Sequence, residues 1–270
     1  MSGPVAGAGP IWLIGCGNMG GAILRRWIGD GMDPARVTVI TRSGSGAPEG
    51  VRSVVALPDE DAPEVLMLAL KPQQIDATQA LLAPMRGKTK LLISILAGVD
   101  HATLAERFAA DAVVRAMPNL PVAIGKGVTS LFTDGASAET IAQVEALAGS
   151  LGHYEWIADE RQFDAVTALA GCGPGFVFRF ADALAKAGAV LGLPADQAAR
   201  LAIATLEGAA IMAAAADVSP AVLADRVASP GGSTREGLNV LDCDDALVRL
   251  LTETLAASAA RNAEMAAAAR

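Results

Sequence analysis

Hydropathy along the first half of the chain alternates between short apolar runs and longer stretches with helical spacing. Ile11-Trp12-Leu13-Ile14 is a compact apolar run. It is followed by a stretch in which Ile23, Leu24, Trp27 and Ile28 fall on one helical stripe. Val37-Thr38-Val39-Ile40, β-branched and apolar, predicts a second strand. Three further runs follow. Val65–Leu70 ends at Lys71-Pro72, Leu91–Ile95 ends at Ala97-Gly98, and Val113–Ala116 ends at Met117-Pro118-Asn119. Continuous apolar strands suit a parallel sheet buried on both faces, and each run is followed by a break and a helix candidate. Gly127–Thr133 and Tyr154–Ile157 predict two more strands, flanking a helix from about Ser137 to Leu151.

From Asp159 onward the strand signals stop. Alanine-rich helical windows replace them at about 160–171, 174–191, 195–215, 219–228 and 244–268. The expected fold is therefore α/β: an N-terminal Rossmann-like doubly wound sheet over 1–158, followed by an all-helical C-terminal domain over 159–270. In such sheets ligands sit beyond the carboxyl ends of the strands. The segments Ala69-Leu70-Lys71-Pro72, Ala97-Gly98 and Met117-Pro118-Asn119 are then expected to face one crevice, together with Gly15–Gly20.

The chemistry begins at Gly15-Cys16-Gly17-Asn18-Met19-Gly20, three glycines spaced G-x-G-x-x-G between the first strand and the first helix. This is the turn that binds a dinucleotide pyrophosphate. Its glycines allow a tight turn, close approach of phosphate and close packing of helix on strand, and the helix N-terminus attracts the anion. An NAD-specific site usually ends its second strand with an acid that binds the ribose 2′-hydroxyl. Here that strand ends in Thr41-Arg42-Ser43, with no acid between Asp33 and Glu49. An arginine flanked by hydroxyls holds a 2′-phosphate by charge-assisted hydrogen bonds, so NADPH is the expected cofactor and NADH the weaker one. The alternative for Arg42 is a solvated surface charge.

Composition narrows the partners. The 270 residues are 52% hydrophobic and 19% charged, with a net charge of −8. That is enough for a sizeable core, and it argues against general binding to nucleic acid or an anionic membrane. Cys16, Cys172 and Cys243 are far apart and odd in number. They give no metal spacing and no disulfide framework, which fits a reducing, cytoplasmic compartment. Met1–Pro10 lacks the basic start and apolar core of a secretory signal. No charge-free apolar run of about 18 residues occurs, so no membrane span is expected.

One loop of the helical half carries chemistry: Ser229-Pro230-Gly231-Gly232-Ser233-Thr234. Ser233 with Glu236 fits a capping box, so a helix is expected to start there. The free N–H groups and hydroxyls of such a start suit a small carboxylate. An ordinary interhelical turn reads the same way. Cys172 is expected to be a packed thiol, and the Phe176, Phe178 and Phe180 cluster to be helix packing or an interchain contact.

Together these segments resemble the pyrroline-5-carboxylate reductase family over essentially the whole chain. The most specific are Arg115-Ala116-Met117-Pro118-Asn119 and Ser229-Pro230-Gly231-Gly232-Ser233-Thr234, in matching order. The resemblance implies NAD(P)H-dependent reduction of 1-pyrroline-5-carboxylate to L-proline, the last step of proline synthesis. It also implies a C-terminal domain that interlocks with a second copy, giving a dimer or a larger ring such as a decamer. Gly15, Cys16, Gly17, Asn18, Met19, Gly20, Thr41, Arg42, Ser43, Ala69, Leu70, Lys71, Pro72, Ala97, Gly98 and Asn119 are then expected at the cofactor, the Asn119 amide holding either the loop or the cofactor itself. Ser229, Gly231, Gly232, Ser233 and Thr234 are expected at the substrate, with the Thr234 hydroxyl at the ring nitrogen, either passing a proton or orienting a water. The family usually reads Ser-Gly-Ser-Gly-Pro-Ala before its long dimer helix, where this chain has Ala170-Gly171-Cys172-Gly173-Pro174-Gly175. An asparagine common after the third strand is replaced near Val55-Ala56.

Two rivals stand beside this reading. A β-hydroxyacid-type dehydrogenase would need a catalytic lysine on the first long C-terminal helix. The helix opening at Gly173-Pro174-Gly175-Phe176 has none at that place. A non-catalytic NADP-binding sensor or paralogue fits only the hydroxyls lost at Ala170 and Cys172.

Overall fold

The computed structural model describes residues 9–268, so most of Met1–Pro10, read above for a signal, lies outside the described residues. The chain divides into two compact units. One runs to Cys172 and resumes at Ser258, and the other is Gly173–Ala257. The sequence pattern changes at about 158, where strands give way to helices; compactness divides instead after Cys172.

The first unit is built on an eight-stranded sheet. Its strands are β1 (Ile11–Ile14), β2 (Val37–Ile40), β3 (Arg52–Val54), β4 (Val65–Leu68), β5 (Leu91–Ser94), β6 (Ala112–Pro118), β7 (Gly127–Phe132) and β8 (Gly152–Trp156). They lie in the order β3-β2-β1-β4-β5-β6-β7-β8. Neighbours are parallel except β6 and β7, where Ala116 pairs with Leu131 in an antiparallel ladder. The sheet is parallel as expected but for this one step, which has a simple reason. Only residues 119–126 join the two strands, and a parallel return needs a crossover of a dozen residues or more. The helices of this unit are α1 (Asn18–Gly29), α2 (Ile75–Leu82), α3 (His101–Phe108), α4 (Ala138–Gly149) and the short α5 (Phe163–Val166).

Alternation along the strands fills both faces of the sheet. Ile11, Leu13, Val37, Val39, Val65 and Met67 pack on one face with Ile23, Leu24 and Trp27 of α1 and Val144 and Leu147 of α4. Trp12, Ile14, Leu66 and Leu68 pack on the other, with Ile75 and Leu82 of α2 and Leu104 and Phe108 of α3. Trp27 also donates Nε1–H to the Leu147 carbonyl at 2.9 Å, so its one polar group is satisfied inside the core. Each such large apolar side chain, fully buried, contributes about 1.5–3 kcal/mol. Both tryptophans expected around the first strand are thus packing residues.

The second unit holds α6 (Gly173–Val190), α7 (Ala195–Ala215), α8 (Pro220–Arg226), α9 (Ser233–Asp242) and the start of α10 (Ala246–Ala268). Its buried apolar residues are Ala198, Ala202 and Ala228. α7 is long and apolar enough to cross a membrane by length and composition, with a mean hydropathy of 1.4 over its best window. Its charges, Asp196, Arg200 and Glu207, are few for a helix of this length.

Candidate functional site

The turn between β1 and α1 has the geometry of a phosphate cradle. Gly15 has φ +88°, and a Cβ there would lie 2.5 Å from the Ala69 carbonyl oxygen. Only glycine lets β1 pass this close to the end of β4. At Gly17 a Cβ would meet nothing within 4 Å, so the turn is open where a phosphate would approach. Gly17 is the N-cap of α1, no side chain caps the helix, and its first turn carries no acid. Uncapped N–H groups and the positive end of the helix dipole make this an anion site. The residues present fit a dinucleotide pyrophosphate.

The segment after β2 folds back toward this turn. Thr41 donates its hydroxyl to the Ser45 carbonyl at 3.3 Å, and the Ser43 and Ser45 hydroxyls are 2.8 Å apart. The Cys16 thiol donates to the Gly46 carbonyl at 3.3 Å. Burial pushes that thiol above its ordinary pKa, the nearby Arg25 guanidinium opposing the shift, so Cys16 stays a neutral thiol at physiological pH. Arg42 is exposed at the same loop and makes no ion pair among the described residues. The structure thus brings Gly15–Gly20, Thr41–Ser43 and Ala69-Leu70 together. Lys71 is exposed and donates its backbone N–H to the Gln74 Oε1 at 3.2 Å, which starts the turn through Pro72 into α2.

Asn119 stands apart from the other expected cofactor residues. Its Oδ1 accepts the Val128 N–H at 2.8 Å, and its Nδ2 donates to the Ala170 carbonyl at 2.9 Å. The side chain is 6% exposed, so the amide is spent on clamping the end of β6 to its neighbours rather than offered to a ligand. Beyond the residues assigned above, the carboxyl ends of β5 and β6 show a half-buried ion pair. Arg115, itself buried, donates to the partly exposed Glu160 at 2.6 Å and lies over the Phe163 ring at 4.0 Å. A lone arginine inside the apolar run Val113-Val114-Arg115-Ala116 was the available signal. The helix expected at 160–171 is α5 followed by a wider turn, Thr167–Gly171, closed by the Cys172 N–H on the Thr167 carbonyl at 2.8 Å. Cys172 itself accepts the Ser258 hydroxyl at 3.2 Å, as a packed thiol would. A groove lined by Asp76, Gln79, Arg86 and Arg107 runs along α2 and α3 and reaches Gly98. In it Arg107 pairs with Asp76 and bonds Gln79, and Arg86 bonds the Glu106 carbonyl.

In the second unit, Ser229-Pro230-Gly231-Gly232 forms a tight turn closed by the Gly232 N–H on the Ser229 carbonyl at 2.9 Å. Ser229, Gly231, Ser233 and Thr234 are exposed and Gly232 is half-buried. The expected capping box at Ser233 is corrected. Gly232 is the N-cap, extended at φ −81° and ψ 159°, with no side-chain cap bond, and Ser233 is the first helical residue. The tight turn makes Gly232 the last extended residue, so the helix starts one residue earlier than expected. The Ser233 and Thr234 hydroxyls and the first N–H groups of α9 are therefore left for another partner. Among the described residues no cluster of three metal-binding side chains occurs.

Comparison with known proteins gives the same reading from an independent direction. Residues 160–265 match the family model described as pyrroline-5-carboxylate reductase dimerisation. Residues 10–98 match that of NADP oxidoreductase coenzyme F420-dependent. Pyrroline-5-carboxylate reductase of Pseudomonas aeruginosa is 34% identical over 267 residues, covering 95% of this chain and 96% of its own. That of Glycine max is 35% identical over 241 residues, covering 85% and 86%. The solved structure of a pyrroline-5-carboxylate reductase from Coxiella burnetii superposes with a TM-score of 0.85 at 31% identity, over 95% of this chain and 98% of that one. A Plasmodium falciparum pyrroline carboxylate reductase with NADP bound shares the fold, with a TM-score of 0.82 at 23% identity over 97% and 99%.

Proposed function

We propose, from the premise that this chain belongs to the pyrroline-5-carboxylate reductase family, that it reduces 1-pyrroline-5-carboxylate to L-proline with NADPH, the last step of proline synthesis. The observation that carries the reading is the pairing, in one chain, of an uncapped G-x-G-x-x-G helix start with the Ser229–Thr234 turn.

NADPH, when bound, supplies a hydride from C4 of its nicotinamide. The N–H groups of Gly15–Gly20 hold the pyrophosphate, and Arg42, with the hydroxyls of Thr41 and Ser43, holds the 2′-phosphate. Ala69-Leu70-Lys71-Pro72 and Ala97-Gly98 line the nicotinamide half. Ser229 and the N–H groups of Gly231–Thr234 hold the substrate carboxylate, and the Thr234 hydroxyl meets the ring nitrogen. The substrate is a cyclic imine that is electrophilic once protonated. The hydride that bound NADPH would supply would turn this protonated imine into a secondary amine, the C=N π pair passing to nitrogen. Such a reaction needs alignment more than a strong base, in keeping with a helical half that has no histidine after His153 and only Lys186 as lysine. Asn119 takes the role of a clamp that positions the end of β6. The protein works as a homo-oligomer, a dimer or a decamer. It acts in a reducing cytoplasm that keeps Cys16, Cys172 and Cys243 free, without nucleic acid or membrane as partner.

The test is NADPH oxidation by purified protein with 1-pyrroline-5-carboxylate. Turnover linked to L-proline formation supports the reading. Tight NADPH binding with no imine reduction overturns it in favour of a sensor.

A further inference from the structure

The last turns of α10 are seated on the turn that follows β5. Gly98 has φ +75°, and a Cβ there would lie 2.8 Å from the Ala266 Cα, so the helix approaches this turn backbone to backbone. Asn262 lies four residues before Ala266 and therefore on the same face of α10. It lines a small cavity with Ala97, Gly98, Met117, Thr167 and Asp164. Its Nδ2 is buried and has no hydrogen-bond partner among the described residues. A buried N–H without a partner is costly, and such groups in native structures call for an explanation. The polar neighbours of Asn262 on the helix, Arg261 and Glu264, pair with each other at 2.8 Å.

The cavity sits at the carboxyl ends of β5 and β6, where a doubly wound sheet receives its ligand. Its walls select the chemistry. Arg115 also lines it, but its guanidinium is held by Glu160 at 2.6 Å and covered by Phe163 at 4.0 Å. The second claim on Glu160 is the His101 N–H, at 2.7 Å. This charge is neutralised within the wall and is a poor receiver for a substrate carboxylate. What the cavity offers is the N–H donor at Asn262, the Thr167 hydroxyl, which donates or accepts, and the Asp164 carboxylate as acceptor, beside the apolar Ala97 and Met117. The complement of that set is a neutral group with one carbonyl oxygen and one N–H donor. Thr167 also opens the wide turn Thr167–Gly171, a helical irregularity often found at functional sites.

We infer that Asn262 is a cofactor-binding residue whose Nδ2–H donates to the carboxamide oxygen of the nicotinamide ring, so that the C-terminal helix fixes the rotation of the ring that carries the hydride. This inference rests on the proposed NADPH-dependent reading and names a contact within its nicotinamide half.

The test is equilibrium binding to the full-length protein of NADPH, its thionicotinamide analogue and 2′,5′-ADP. Sulfur accepts hydrogen bonds poorly, so wild type should bind NADPH about tenfold more tightly than the thio analogue. Asn262→Leu should lose about tenfold for NADPH, little for the thio analogue and nothing for 2′,5′-ADP, which carries no nicotinamide. Equal losses for all three ligands would show that Asn262 only holds the fold. If Asn262→Leu does not fold, Asn262→Asp keeps the shape while removing the donor, and the same three affinities decide. Equal wild-type affinity for NADPH and its thio analogue overturns the inference without any variant, as does an absence of NADPH binding. Failure of the imine-reduction assay with this binding pattern intact would sink the proposed reaction and leave the Asn262 contact standing.

Discussion

At the scale of single residues, Arg42 and Thr234 carry separable roles. Arg42 is exposed at the end of β2 and makes no ion pair among the described residues, so its loss leaves the fold alone. Arg42→Ala should narrow the preference for NADPH over NADH by about 1–3 kcal/mol, the range for a hydrogen bond to a charged group. Titrating both cofactors against both proteins checks this. An equal loss for NADH would remove Arg42 as a reader of the 2′-phosphate. Thr234 is exposed in the first turn of α9. Thr234→Ala should leave NADPH affinity and the oligomer unchanged and lower kcat/KM by about ten- to a hundredfold. Steady-state rates at saturating NADPH decide it, and unchanged rates would leave positioning to the backbone N–H groups alone. Asn119 was expected to hold the loop or the cofactor by its amide. That amide binds Val128 at 2.8 Å and Ala170 at 2.9 Å, and the Ala170 contact spans 51 residues, a distance over which no local pattern reveals a partner.

At the scale of elements, the β1–α1 turn separates fold from function. A Cβ at Gly15 would collide with the Ala69 carbonyl at 2.5 Å, whereas one at Gly17 would project into open space. Gly15→Ala should therefore lower both the melting temperature and NADPH affinity, the strain amounting to about 1–3 kcal/mol. Gly17→Ala should leave the melting temperature unchanged and still weaken NADPH at least tenfold, because its methyl occupies the space the phosphate needs. Calorimetry with cofactor titration tests the pair; a Gly17→Ala protein with normal affinity would show that phosphate does not approach there. This turn was legible in sequence because three glycines at fixed spacing have few other reasons to lie between an apolar run and an amphipathic helix. The buried strands were legible for the same kind of reason, since continuous apolar runs have only one place to go. Less was visible where tertiary contacts decide. β3 is three residues long and partly exposed, too short for any period. The antiparallel step at β7 follows from the length of a connection. The start of α9 at Gly232 follows from a tight turn that the serine-first capping rule ignores. Asn262 was invisible because its meaning lies in its seat beside Gly98, far away in sequence.

At the scale of the whole molecule, the helical unit lacks a core of its own. Its buried apolar residues are three alanines, Ala198, Ala202 and Ala228. Ile203, Ile211, Met212 and Val248 meanwhile stand at 61%, 62%, 64% and 64% exposure. An apolar surface of this extent is a hallmark of an interface, and a residue range matching a dimerisation model makes the occupant a second copy of the chain. The same surface explains why α7 passes a membrane-span test on composition: a helix buried between copies and a helix buried in lipid need similar side chains. Partner contacts therefore supply the burial that the isolated unit lacks, and folding of this half should depend on protein concentration. Sedimentation at micromolar concentration should give a dimer or a larger closed assembly. Placing charge on the apolar face of α7, as Ile203→Glu with Ile211→Glu, should drive the assembly toward monomers, since two carboxylates buried without partners cost several kcal/mol. Because NADPH contacts are assigned to the first unit, the monomers should retain 2′,5′-ADP binding, and the melting of the helical half should fall well below that of wild type. A double variant that sediments as wild type would show that α7 faces solvent in the assembly and that the remaining helices carry the interface.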